Sequence, residues 1–141
     1  MANDVGDFQR SMSIATSGLR AQAGRMRVIS ENIANADSTA TTAGGDPYRR
    51  KIPTFSSALD RSLDARTVTL GRVRTDTSDF RVKHEPSNPV ADAAGNVKYP
   101  NVNPLVEMTD MREAQRSYEA NLNIISATRR MIQRTLDILR S

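Results

Sequence analysis

Two heptad seams, one at each end of the chain, constrain the fold more than any other feature of the sequence. Alternating steps of four and three from Phe8 reach Met12, Ala15, Leu19, Gln22, Met26, Ile29 and Ile33, with one polar residue in eight positions. Side chains three and four apart share one face of an α-helix, so this spacing predicts a helix over residues 8–35 carrying a narrow apolar line. The same alternation runs through Met108, Met111, Gln115, Tyr118, Leu122, Ile125, Arg129, Ile132, Leu136 and Leu139, with two polar positions in ten. A second line, Ile124, Met131 and Ile138, widens the apolar face of that segment, which is expected to touch more than one neighbour. Its start is marked by Asn103 as N-cap and Pro104 at the first helical position, with Glu107 and Asp110 at the positive end of the helix dipole. A period of 3.5 suits gentle left-handed supercoiling around a partner helix.

An antiparallel pair is the simplest use of two such stripes, but it is a marginal one. The chain has no Trp, three Phe and three Tyr among 141 residues, so the seams bring little large apolar surface against the entropy of ordering two long helices. Association with further helices is therefore the physical expectation. The fold class expected is mainly α with a small β part. Residues 1–37 and 103–141 form a discontinuous helical coiled-coil domain, and residues 38–102 a loop and β-hairpin region.

The middle segment holds five of the six prolines. "RTVTLGRVRT" alternates Val68 and Leu70 with polar neighbours, and "DFRVKHE" alternates Phe80, Val82 and His84. The two are expected to pair as strands joined by a polar turn around Asp76 to Ser78. Residues 85–104 read as an extended connection with turns at Pro86, Pro89, Gly95 and Pro100.

Chemistry is scarce. His84 is the only histidine and there is no cysteine, so the usual zinc sites and thiol nucleophiles are missing. "TAGGD" at 42–46 lacks the spacing and the lysine of a phosphate loop, and no serine stands in a nucleophile-elbow setting. Neither an enzyme nor a cofactor is expected. No apolar run approaches the roughly 18 residues of a membrane span, and the first twenty residues lack the basic-then-apolar order of a cleavable signal peptide. Lys and Arg number 20 against 16 Asp and Glu, and Arg49, Arg50 and Lys51 beside Tyr48 form the strongest basic cluster. These are the ingredients of a nucleic-acid contact, so a small basic helical nucleic-acid-binding protein is the alternative that charge and helicity leave open.

Four segments carry a resemblance. "SGLRAQAGRMRVISENIANADST" is similar to the N-terminal signature of the axial proteins of the bacterial flagellum. "DPYRRK" at 46–51, "EPSNPVADAAGNVKYPNVN" at 85–103 and "VEMTDMREAQRSYEANLNIISATRRMIQRTLDI" at 106–138 follow in the order and at the distances of that family's proximal rod members. The resemblance implies a non-enzymatic structural subunit that leaves the cell unfolded through the flagellar type III export apparatus and assembles in the periplasm. There it would build the rod that transmits torque from motor to hook, packing against copies of itself and other rod proteins, with no nucleic acid and no membrane span. Carried onto this sequence, the interface candidates are Leu19, Met26, Ile29, Asn32, Ile33 and Asn35 on the first helix, and Tyr118, Asn121, Leu122, Ile125, Ile132 and Leu136 on the last. Asn32, Asn35 and Asn121 stand out because an amide on an apolar helix face fixes register by hydrogen bonding and is costly to bury without a partner.

Overall fold

The computed structural model describes residues 2–140, with side-chain environments from residue 6. Helix α1 runs Ala2–Ala34 and helix α2 Pro104–Arg140. Six short strands lie between them: β1 Lys51–Ile52, β2 Phe55–Asp60, β3 Ala65–Leu70, β4 Arg74–Thr75, β5 Arg81–His84 and β6 Asn96–Tyr99. They form three antiparallel pairs, β1 with β4, β2 with β3 and β5 with β6. The mainly helical class with a small β part is thus as expected. The first helix begins six residues earlier than its seam. The second begins where Asn103 caps it, accepting the Leu105 N–H at 3.1 Å through Oδ1.

The strand pairing differs from the expectation. Val68 and Leu70 do lie in a strand, but β3 pairs with β2 in the register Phe55↔Leu70 to Asp60↔Ala65. Val82 and His84 lie in β5, whose partner β6 comes from the stretch read as an extended connection. Asp76 does turn the chain, accepting the Ser78 N–H at 2.9 Å, but that turn follows β4, which pairs with β1. Local chemistry explains the difference. The β2–β3 turn is held by Asp60 Oδ1, which accepts from the Ser62 N–H at 3.0 Å, with Asp64 in the left-handed region at φ 45°. The β5–β6 turn is held by Asp92 Oδ1, which accepts from the N–H groups of Ala94 and Asn96 at 2.9 Å, with Gly95 at φ 80°. Both are side-chain-stapled turns between weakly apolar strands, which alternation alone does not reveal.

The chain divides into two compact units. One comprises Met1–Met26, Thr54–Arg72 and Glu113–Ser141, the other Arg27–Pro53 and Val73–Arg112. In the first, β3 and the turn before it are fastened to α1: the Val68 N–H donates to Ser17 Oγ at 3.2 Å and Arg10 Nε to the Leu63 carbonyl at 2.7 Å. Arg25 pairs with Glu113 at 3.3 Å, and Gly18 lies against Asn121, so α1 and α2 run antiparallel there. Its core is made of small groups, Ala15, Ala21, Ala65 and Ala114, with Ile125. In the second unit Val28, Ile29, Ala36, Val97 and Val102 are buried. Arg81 closes the end of α1 there, donating to the carbonyls of Ala36 at 2.7 Å and Pro100 at 3.0 Å.

Gly18 gives the close approach a test. Alanine normally improves a helix interior by about 1 kcal/mol over glycine. A Cβ at position 18 would lie 2.8 Å from Asn121 Nδ2 and 3.0 Å from its Cγ, and that amide already donates to the Ser117 carbonyl at 3.0 Å. Gly18→Ala is therefore expected to lower stability by about 1 kcal/mol. In an Asn121→Ala background the same change should raise it, a reversal that thermal melts of the single and double variants will read.

Candidate assembly interface

Asn32 sits in the SENIANA run at the end of α1 and is fully buried. Its amide nitrogen donates to the Lys51 carbonyl at 2.8 Å and to Glu107 Oε2 at 3.0 Å. Its amide oxygen accepts from the Lys51 N–H at 2.9 Å and the Tyr48 hydroxyl at 2.8 Å. Both donors and both lone pairs are used, which is the full capacity of an asparagine side chain. The amide pairs with Lys51 as a strand neighbour would, and so anchors the middle segment to α1.

Glu107, on the first turn of α2, completes the network. It too has no exposure, and its Oε1 accepts from Arg50 Nε at 2.6 Å. Arg50 also faces Asp76 and Asp110, each at 3.7 Å, while its backbone N–H donates to Asn101 Oδ1 at 2.8 Å. Lys51 Nζ pairs with Glu31, and the Arg49 guanidinium stacks over the Phe80 ring at 4.0 Å. Burial, reinforced by the carboxylates of Glu31 and Glu107, pushes the Tyr48 hydroxyl up to about 12, so it remains a proton donor to Asn32 through the physiological range. Each cation of the Arg49–Lys51 cluster is engaged inside the protein, and nothing in the structure supports the nucleic-acid alternative.

The helix seams divide into covered and uncovered halves. On α2 the positions shared with the expected seam, Met111, Tyr118, Ile125 and Ile132, are buried or half-buried. Their companions in the fold are Glu107, Ala114, Asn121 and Thr128, each one residue before an expected seam position. The covered stripe is thus rotated by one residue. The positions it leaves out include Met108, Leu122 and Leu136, which are 46–50% exposed, while Leu139, next on the Met111–Ile132 line near the end of the helix, is 64% exposed. Ile124, Met131 and Ile138 are 47%, 54% and 74% exposed.

Of the twelve interface candidates, Ile29, Asn32 and Ile125 are buried within the chain, and the Asn32 amide has no capacity left for a neighbouring subunit. Leu19, Met26, Ile33, Asn35, Tyr118, Asn121 and Ile132 are half-buried, while Leu122 and Leu136 are exposed. The Asn35 amide donates to the Glu31 carbonyl at 2.8 Å, a local helix-end contact. Sequence reasoning missed Glu107, Arg50, Tyr48 and Asn101 as one network. The available signal was an acid in the first turn of α2 and a run of three adjacent cations at Arg49–Lys51.

Residues 12–40 match the family described as "Flagella basal body rod protein", and residues 93–138 the family described as "Flagellar basal body rod FlgEFG protein C-terminal". The chain is 52% identical over 128 residues to the flagellar basal-body rod protein FlgC of Agrobacterium fabrum, covering 91% of this chain and 92% of the relative. It is 38% identical to FlgC of Bacillus subtilis, covering 91% and 95%, and 34% identical to FlgC of Aquifex aeolicus, covering 93% and 96%. Similarity at this level along nearly the whole of several relatives, on a fold of two terminal helices around a small β segment, places the chain in the FlgC family of flagellar basal-body rod proteins.

Proposed function

We propose that this chain is a non-enzymatic structural subunit of the proximal rod, assembling through the uncovered faces of its terminal helices against copies of itself and other rod proteins. The observation that supports this is the set of large apolar side chains that α2 leaves exposed on two lines, Leu122 with Leu136 and Ile124 with Met131, and Leu139 near its end, although Ile29 and Ile125 are covered within the chain. Exposed apolar groups in a row mark an association surface. Leu19, Met26 and Ile33 on α1 and Ile132 on α2 are half-buried, and each keeps surface for a neighbouring subunit. The rod would carry torque from motor to hook. The chain would reach the periplasm unfolded through the flagellar type III apparatus.

The test is Leu122→Asp combined with Leu136→Asp in cells lacking the native copy. Both side chains are about half exposed, so the variant is expected to fold and to be secreted as before. It should build no rods and leave the cells non-motile. Normal motility would refute assembly through this face.

A further inference from the structure

The net charge of +4 is not spread evenly. The unit comprising Met1–Met26, Thr54–Arg72 and Glu113–Ser141 carries eleven Lys and Arg against seven Asp and Glu, whereas the other carries nine of each. The excess therefore lies wholly in the unit that bears the uncovered length of α2. On that helix Arg116 and Arg130 are two heptads apart and Arg134 follows one turn later, all three exposed. Arg134 is three residues after Met131, so the arginine row borders the apolar edge formed by Ile124 and Met131. Among the described residues no ion pair engages Arg116, Arg130 or Arg134. Of the three acids on α2 in this unit, Glu113 is paired with Arg25 at 3.3 Å, while Glu119 and Asp137 are exposed and, among the described residues, form no ion pair with the three arginines.

A second copy of the chain is poorly suited to cover that edge. Its α2 presents the same arginines, and its α1 exposes Arg10 and Arg20 in this unit against Asp7, which pairs with Arg10 at 3.3 Å. Like charges brought together in an interface select against a partner, and opposite charges select for it. We propose that the Ile124–Met131 edge of α2 receives an acidic amphipathic helix of a different protein, with apolar residues meeting Ile124 and Met131 and carboxylates meeting Arg116, Arg130 and Arg134. This inference rests on the assembly reading above and names the partner chemistry at one edge of that surface.

The experiment uses the full chain and two synthetic helical peptides that share one Leu/Ile stripe, one flanked by Glu and the other by Lys, with binding read by fluorescence anisotropy. The Glu-flanked peptide should bind at least about tenfold more tightly at low salt, the gap closing as salt rises. Arg130→Glu with Arg134→Glu should reverse the preference. Arg61→Glu with Arg66→Glu, an equal charge change on the hairpin of the same unit, should leave it in place. Equal binding of the two peptides, or a reversal produced equally by both charge variants, overturns the proposal. Either result leaves the rod reading standing if Leu122→Asp with Leu136→Asp still abolishes motility, so the two failures are distinguishable.

Discussion

Glu107→Ala is expected to destabilise its unit by about 3–5 kcal/mol, the largest effect of any single substitution considered. The carboxylate is completely buried, and its two oxygens meet Arg50 Nε at 2.6 Å and the Asn32 amide at 3.0 Å. Truncation leaves the guanidinium, itself only 22% exposed, with acids no nearer than 3.7 Å, and removes the acceptor of one Asn32 donor. An uncompensated charge is the costly product, more than the loss of the pair itself. Glu107→Gln keeps the shape and one acceptor oxygen, so about half of the loss should be recovered. Urea titration of the three proteins reads the series, and equal stability of Ala and wild type would mean the network carries no weight.

Asn32→Leu should cost about 3 kcal/mol although the two side chains share the same branching, because four groups lose their partner at once. The Lys51 N–H and carbonyl, the Tyr48 hydroxyl and Glu107 Oε2 all face that one amide. A buried backbone N–H without an acceptor is among the costlier defects a fold can carry. The local signature is specific: the Lys51 amide should lose its protection from hydrogen exchange, while the Val68 amide, which donates to Ser17 in the other unit, should keep its own. Unchanged exchange at Lys51 would show that the amide is not what holds β1 to α1.

Both substitutions fall on residues whose importance the sequence shows only in part. Periodicity places both helices, and Asn103 with Pro104 marks the start of α2 to the residue. Asn32 can be singled out as an amide on an apolar face in need of a partner. That the partner is the backbone of Lys51, nineteen residues on, cannot be seen, because backbone groups leave no trace in sequence. Glu107 reads as a dipole partner at a helix start, and only the fold brings Arg50 to it. The same blindness explains the rotated stripe of α2. Hydropathy weights Met108 and Leu122 over Glu107 and Asn121, yet the polar pair lies inward because in-chain partners and the small Gly18 receive it. In the middle segment, the apolar residues of β2, Phe55, Ala58 and Leu59, do not alternate, β6 is four residues set among turn signals, and the Asp60 and Asp92 turns set which strands meet.

The absence of cysteine makes the central claim directly measurable. A single cysteine at position 122 or 136, each about half exposed in the free chain, gives a maleimide-reactive handle. Labelling is compared between the purified chain and basal bodies isolated from cells that assemble it. Assembly through the uncovered α2 face predicts rapid labelling of the free chain and strong protection in the rod. Equal labelling in both would contradict it.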